Sequence, residues 1–359
     1  MKPILHIITT ISRGGAENQL LILAGEQVAS GERVSVIYLK DEPDLEKDFA
    51  NLGITVISKF ANLNPLRQSV LIRKYLSNQN VIIHAHLPRA ELITRFSVAQ
   101  QNFVISRHNA EPFFPGAPKL FSILLSRLVT RRANLCIAIS KAVQNYLMNS
   151  KEVSPKANSA VVLYGYQKQR ILNSRILSDG SKNYQIGTIA RLVPQKDFPT
   201  LLRAFALIVE QIPQATLSIV GSGPLESDLK KLADELGIRK KIDWQGRRGD
   251  IDNYLQSIDL FLLTSIYEGF GLVLLEAMAN RVPIIAAKNS AIPEVIGDFP
   301  ETLFETGNYL DLSEKILASL SLQSRNTIVQ RQILRLVKFD ARGMCNEIRA
   351  LYNQIEQDF

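Results

Sequence analysis

Short apolar runs, rich in β-branched residues, recur along the 359-residue chain, each followed by a turn and then by helical periodicity. The runs at 4–9, 34–39, 55–57, 81–85, 103–106, 135–139 and 160–163 predict seven strands in the first half. After a polar, aperiodic stretch at 167–183 the pattern restarts, with predicted strands at 185–190, 215–220, 242–244, 260–263 and 283–287. Predicted helices at 199–210, 225–236, 250–257 and 272–279 separate them. Strands that alternate with helices pair in parallel, because each crossover carries the chain back to the same end of the sheet. The pattern therefore predicts an α/β protein of two doubly wound parallel-sheet domains, 1–166 and 184–340, facing each other across a cleft and linked by 167–183.

With 46% hydrophobic and 21% charged residues, wholesale disorder, collagen-like repeats and coiled coil are excluded. The two cysteines, Cys136 and Cys345, build neither a disulfide framework nor a cysteine metal site. No apolar run reaches the length of a membrane span, and the first residues turn polar too soon for a signal peptide. A cytoplasmic protein, soluble or peripheral on the membrane, is expected. The net charge is +8. Residues 1–165 hold 19 Lys and Arg against 11 Asp and Glu, whereas the remainder holds 23 of each. The whole surplus in the first half reads either as unevenly spread solubility charge or as attraction to an anionic partner. No nucleic-acid motif accompanies it.

In open parallel sheets, ligands bind beyond the carboxyl ends of the strands. The polar clusters there are 13–17, His86, Arg107-His108-Asn109, 191–196, 221–224 and 268–276. In the last, Glu268-Gly269-Phe270-Gly271-Leu272 ends a strand region and opens a helix whose N–H groups and dipole suit a phosphate. Glu268 stands in the turn and Glu276 more than one turn into the helix, so the two carboxylates suit different hydroxyls of one long polyhydroxylated ligand. On residue chemistry alone, a generic glycine turn with a surface glutamate explains the same residues.

The run from Glu268 to Glu276 resembles the signature of the family 4 retaining glycosyltransferases of GT-B fold. The resemblance continues through 277–279, 283–286 and 292–296, and takes in Ala190-Arg191-Leu192 with Gln195-Lys196-Asp197, 220–224 and 259–261. In the first half, Gly14-Gly15-Ala16-Glu17 is similar to the family's N-terminal glycine loop, and His86, Arg107-His108-Asn109 and 139–140 fall where the family places active-site segments. What the resemblance implies is a GT-B architecture of two Rossmann-like domains. The acceptor belongs to the first domain and a UDP- or GDP-sugar donor to the second, with a C-terminal helix at about 341–359 packed back on the first.

By the same resemblance, Glu276 binds the ribose hydroxyls and Glu268 those of the donor sugar. Arg191 and Lys196 neutralise the diphosphate, so neither a metal nor another cofactor is expected. Backbone groups of Gly15, Gly221, Gly269, Phe270, Gly271 and Leu272 complete the donor cradle. His108 reaches the sugar from the first domain, while His86, Arg107 and Asn109 lie on the acceptor side. The implied reaction moves a sugar with retention onto a hydroxyl of a lipid-linked glycan in surface polysaccharide biosynthesis. His84, at strand spacing before His86, is expected to point to the opposite face.

Several positions depart from the family pattern or imitate other motifs. Tyr164-Gly165-Tyr166 stands where Asn-Gly is usual, Ser290-Ala291 replaces glycines, and Ala190 stands where glycine often precedes the arginine. Asp250-Ile251-Asp252 has the spacing of an Asp-x-Asp metal motif, but precedes a helix that an aspartate caps well. Gly221-Ser222-Gly223 lacks the third glycine of a dinucleotide fingerprint. Ser140 has no nucleophile-elbow sequence around it. The basic, apolar segment 113–132 suits either a buried helix or an interfacial helix on an anionic membrane, with Phe113 and Phe114 as its exposed end. Two further functions stay open: a sugar-nucleotide epimerase of GT-B-like fold, and a non-catalytic sugar-nucleotide-binding partner.

Overall fold

The computed structural model describes residues 2–167 and 184–357; almost all of the expected linker, 168–183, lies outside them. The chain divides into two compact units, Met1–Lys168 with Phe339–Phe359, and Gln169–Lys338. The first holds a seven-stranded parallel sheet of β1 (Ile4–Ile8), β2 (Val34–Tyr38), β3 (Thr55–Ile57), β4 (Ile82–His86), β5 (Asn102–Arg107), β6 (Leu135–Ala138) and β7 (Ser159–Val161), in the order β3-β2-β1-β4-β5-β6-β7. The second holds six parallel strands, β8 (Gln185–Ile189), β9 (Thr216–Val220), β10 (Ile242–Gly246), β11 (Leu260–Leu263), β12 (Ile284–Ala287) and β13 (Leu303–Phe304), in the order β10-β9-β8-β11-β12-β13. β13 escapes the sequence reading because two residues carry no periodicity.

Strands β1, β4 and β11 are buried along their whole length, as a sheet covered on both faces requires. Each sheet reverses its winding once, between β1 and β4 in the first unit and between β8 and β11 in the second. At such a reversal the crossovers leave toward opposite faces and open a crevice at the carboxyl edge. The loops after these four strands are therefore the places where each unit can hold a ligand.

The helix Ala341–Gln357 belongs to the first unit. Its Cys345, Ile348, Tyr352 and Ile355 pack with Ile4, Ile82 and Val104 in one buried cluster. The chain re-enters this unit through a backbone clasp, in which Tyr166 N–H donates to Phe339 O at 2.6 Å and Ala341 N–H donates to Tyr166 O at 3.2 Å.

Candidate active site

In the second unit, the loops after β8 and β11 are stitched together. The Ile266 N–H donates to Gln195 O at 2.8 Å, the Gln195 amide to Tyr267 O at 2.9 Å, and the Thr264 hydroxyl to Lys196 O at 2.8 Å. This stitching carries Lys196 Nζ to 2.5 Å from Glu268 Oε1, and the Ser265 hydroxyl donates to the same oxygen at 2.7 Å. Both charged side chains are largely buried. The Glu268 N–H donates to Ser290 Oγ at 2.8 Å. Ser290 sits at φ +40°, a left-handed conformation that favours glycine, so the serine at this position exchanges backbone ease for a hydroxyl that holds Glu268. Ser265 was not foreseen from the sequence, since a lone serine in a loop carries no pattern, and Ser290 stood out only as a departure from the family's glycine, not as a partner of Glu268.

Arg191 follows β8, is exposed, and makes no side-chain hydrogen bond or ion pair with a described residue. Its loop rests on the loop after β9. A Cβ at Gly221 (φ +138°) would lie 1.9 Å from Ala190 O, so only glycine permits this approach. Arg247, a cation missed in the sequence, donates to Ser222 Oγ at 3.0 Å on this loop. Gly271, at φ +84°, precedes the helix Leu272–Ala279, and no side chain caps it. Within this first turn the Leu274 N–H donates to Gly271 O at 2.8 Å, and an anion at the helix start would meet the dipole's positive end. Phe270 is buried, and Glu276 is half-buried on that helix.

In the first unit the reversal strands β1 and β4 and the neighbouring β5 bring all four histidines of the chain together. His6 Nε2 lies 2.8 Å from Gln27 Oε1, His6 Nδ1 3.0 Å from His86 Nε2, and His86 Nδ1 3.2 Å from His108 Nε2. His108 Nδ1 meets the Tyr164 hydroxyl. His84 bonds Tyr352 Oη at 2.6 Å through Nδ1 and Ser106 Oγ at 2.8 Å through Nε2. Burial pushes His6 down to about 4, and burial together with the Arg107 charge pushes His108 down to about 3. Burial also holds His84 and His86 well below the ordinary histidine range. His6, His84 and His86 offer ring nitrogens within 4.8 Å of one another, yet all six already have side-chain partners, which a metal ion would have to displace.

His108 is half-buried and forms part of a pocket of about 140 Å³ with Glu91, Arg107, Asn109, Glu111 and Phe113. Leu87 lines the same pocket at φ +71°, a conformation costly for a branched side chain. Arg107 is fixed beneath it, with Nε 2.8 Å from Glu91 Oε2 and Nη1 3.7 Å from Glu152 Oε2. Asn109 is exposed at the rim. Gly15 opens the helix Gly15–Ala29 and is exposed.

Three expectations are corrected. His84 and His86 share one face, their ring centroids 4.2 Å apart, because residues two apart on a strand point the same way. Phe113 is buried under the Arg107 guanidinium, 4.4 Å from the ring centroid, and is no exposed membrane anchor. Asp250 occupies the N-cap position of the helix Ile251–Ser257 but makes no side-chain cap bond. Its carboxylate accepts from Arg248 Nε at 2.8 Å instead, and Asp252 accepts from Asn280 Nδ2 at 2.8 Å.

Residues 13–164 match the family model described as Glycosyltransferase Family 4, and residues 170–333 match that described as Glycosyl transferases group 1. Side by side, the two matches cover most of both units. The chain belongs to the family 4 glycosyltransferases. Among relatives of this glycosyltransferase, the N-acetyl-alpha-D-glucosaminyl L-malate synthase of Bacillus anthracis is 32% identical over 163 residues, 43% of this chain and 42% of the relative. The match thus spans under half the length of that relative. The phosphatidyl-myo-inositol mannosyltransferase of Propionibacterium freudenreichii is 24% identical over 96% of this chain and 93% of its own. Anabaena HepE, solved in complex with UDP-glucose, shares the fold with a TM-score of 0.84 at 22% identity, covering 99% of this chain and 100% of that one. The fold is GT-B.

Proposed function

We propose that this protein is a retaining glycosyltransferase that moves a sugar from a nucleotide-diphosphate sugar to a hydroxyl of a lipid-linked glycan. The observation that carries the proposal is the Lys196–Glu268 contact at the winding reversal of the second unit. Glu268, held by Lys196 and Ser265, is arranged to receive sugar hydroxyls rather than to attack carbon. Lys196, with Arg191 nearby in the chain, supplies positive charge where a diphosphate leaving group gains negative charge. The N–H groups at Gly271–Leu272 and the Glu276 carboxylate serve the phosphates and the ribose. Attack by the acceptor on the face that the diphosphate leaves retains the anomeric configuration. The fixed cations make a metal unnecessary. The relatives lend support: HepE was solved with UDP-glucose bound, and the mannosyltransferase is one that acts on phosphatidyl-myo-inositol.

On the acceptor side, the pocket beside His108 offers a carboxylate, a guanidinium and an amide to a glycan hydroxyl pattern. A lipid-linked acceptor lies at a membrane, and the first unit carries a surface suited to one. The helix Lys119–Thr130 turns Ser122 and Ser126 inward, where Ser126 Oγ donates to Glu152 O at 2.7 Å, and turns Leu120, Phe121 and Leu124 outward. Leu120 is 83% exposed. This helix neighbours Pro88–Ser97, which in turn neighbours Pro65–Leu76, and these two expose Phe96, Leu66 and Val70. These three helices carry seven Lys and Arg, and their one carboxylate, Glu91, is buried. An apolar face with unopposed cations fits the inner leaflet of an anionic membrane. No helix among the described residues is long and apolar enough to cross one.

A thermal-shift screen of UDP- and GDP-sugars tests the donor site. At least one donor is expected to raise Tm, the more so the higher its concentration above Kd, with and without EDTA. A flat response to every donor would contradict the proposal, and a shift or a turnover abolished by EDTA would return Asp250 and Asp252 to consideration as a metal site.

A further inference from the structure

Three loops meet at the side chain of Asn289, which lies just beyond β12. Its Nδ2 group donates to Ser265 O at 2.9 Å, in the loop after β11, and to Thr306 Oγ1 at 2.7 Å, in the loop after β13. A backbone carbonyl can only accept, so the amide is fixed with its nitrogen toward Ser265, and Oδ1 accepts from the Ser290 hydroxyl at 2.9 Å. The Ser290 proton is thereby turned to Asn289, and the hydroxyl oxygen is left to accept from the Glu268 N–H at 2.8 Å. Ser265 completes the circuit, since its hydroxyl donates to Glu268 Oε1 while its carbonyl accepts from Asn289. The ring of bonds thus runs from Asn289 through Ser290, Glu268 and Ser265 back to Asn289. It holds Glu268 at two ends, by the main-chain N–H and by one carboxylate oxygen.

We infer that Asn289 and Ser290 are positioning residues for Glu268: together they fix the carboxylate so that Oε2 is the oxygen presented to the donor sugar. Lys196 and Ser265 both bond Oε1, while Oε2 makes no hydrogen bond with a described residue. A carboxylate on an untied loop can turn either oxygen to a ligand and meet it over a range of positions. One tied at two ends meets a sugar hydroxyl at a single place, which is what a fixed reaction geometry needs. Ser290 stands where the family pattern has glycine. A glycine has no hydroxyl to receive the Glu268 N–H, and at φ +40° it would be the easier residue. The serine is held against its backbone preference, as residues at ligand sites often are, and the bond to Glu268 is what the chain gains by it. The clamp lies wholly within the second unit, and its bearing on transfer rests on the function proposed above.

The test combines hydrogen exchange of the full-length 15N-labelled protein, followed by NMR, with transfer kinetics on the UDP- or GDP-sugar that raises Tm most. In the wild type the Glu268 amide is expected to exchange at least about tenfold more slowly than an unstructured amide, and about fivefold faster than wild type in both Ser290→Gly and Ser290→Ala. In both variants kcat falls about fivefold, the net worth of one hydrogen bond. Kd for UDP or GDP alone stays within about twofold, because the Ser290 side chain bonds only Glu268 and Asn289. The urea midpoint of Ser290→Gly does not fall, since glycine relieves the left-handed backbone, and this separates the lost rate from a loosened fold. Asn289→Ala releases Ser290 and Ser265 together and is expected to lower kcat about tenfold; should it fail to fold, the two serine variants decide. A wild-type Glu268 amide that exchanges as freely as an unstructured one would overturn the inference. So would a kcat within about twofold of wild type in Ser290→Ala, which would assign any loss in Ser290→Gly to added chain freedom. A wild type that transfers no sugar contradicts the proposed function instead, and the exchange rates alone then decide whether the clamp holds Glu268.

Discussion

Lys196 Nζ and Glu268 Oε1 are 2.5 Å apart, although 72 residues separate them in the chain. The cation and the carboxylate come from the two loops that flank the winding reversal of the second sheet, and each keeps the other from being a buried lone charge. On the proposed function, a diphosphate at this site meets a cation that is already largely desolvated. Lys196→Ala is therefore expected to lower kcat by about a hundredfold or more, as removal of a fixed charge at a developing oxyanion does. Circular dichroism and the urea midpoint check that the fold survives the unpaired Glu268. A folded variant within about threefold of the wild-type rate would show that the cation does not serve the leaving group.

In the proposed donor site, Glu276 serves another part of the same ligand. From the helix Leu272–Ala279 it is placed to accept from vicinal ribose hydroxyls, and Glu276→Ala is expected to weaken donor binding by about ten- to a hundredfold. Calorimetric titration with the nucleotide diphosphate alone measures this without chemistry. An unchanged Kd removes the ribose role.

The histidine chain makes stability depend on pH. A histidine whose folded pKa lies below its unfolded value binds its proton more readily in the unfolded chain. Stability is thus full above the unfolded value of 6.5 and is lost as pH falls through 6.5 toward the folded value. For His6, at about 4, the loss between pH 7 and pH 5 is about 2 kcal/mol. The urea midpoint is expected to drop over this interval, and less so in a His6→Gln variant. A midpoint that holds steady from pH 7 to pH 5 contradicts the neutral, buried chain.

The outward leucines make a separate claim. Replacing Leu120, Phe121 and Leu124 together with serine leaves the buried side of their helix intact and is expected to reduce partitioning onto phosphatidylglycerol vesicles about tenfold or more. Co-sedimentation measures it, with neutral vesicles as the comparison. Equal partitioning by variant and wild type would rule this face out as the docking surface.

Much of this arrangement was legible in the sequence, for a reason that can be stated. Strand and helix periods repeat over many residues, so Leu272–Ala279 and Leu260–Leu263 fall where the pattern puts them. The candidate residues Arg191, Lys196 and Glu268 lie just past strand ends, where the fold class says to look. Sheet order was not legible, because pairing is decided between segments far apart in sequence; only the observed order shows that Lys196 and Glu268 flank a reversal. The serines behind Glu268 and the His6–Gln27 bond were hidden for the same reason. The helix Lys119–Thr130 shows a further limit, since a periodic apolar stripe does not say which side the rest of the protein covers. There the serines took the inside, bonded to Phe114 N–H and Glu152 O.

The most direct measurement is the fate of the labelled sugar. The protein is incubated with a 13C-labelled UDP- or GDP-sugar chosen by the thermal-shift screen, together with a lipid-linked glycan acceptor, and the product is followed by NMR at the anomeric carbon. The expected result is a new glycosidic linkage with the anomeric configuration of the donor. An inverted linkage, an epimerised nucleotide-sugar, or a donor that binds and is never transferred would contradict it.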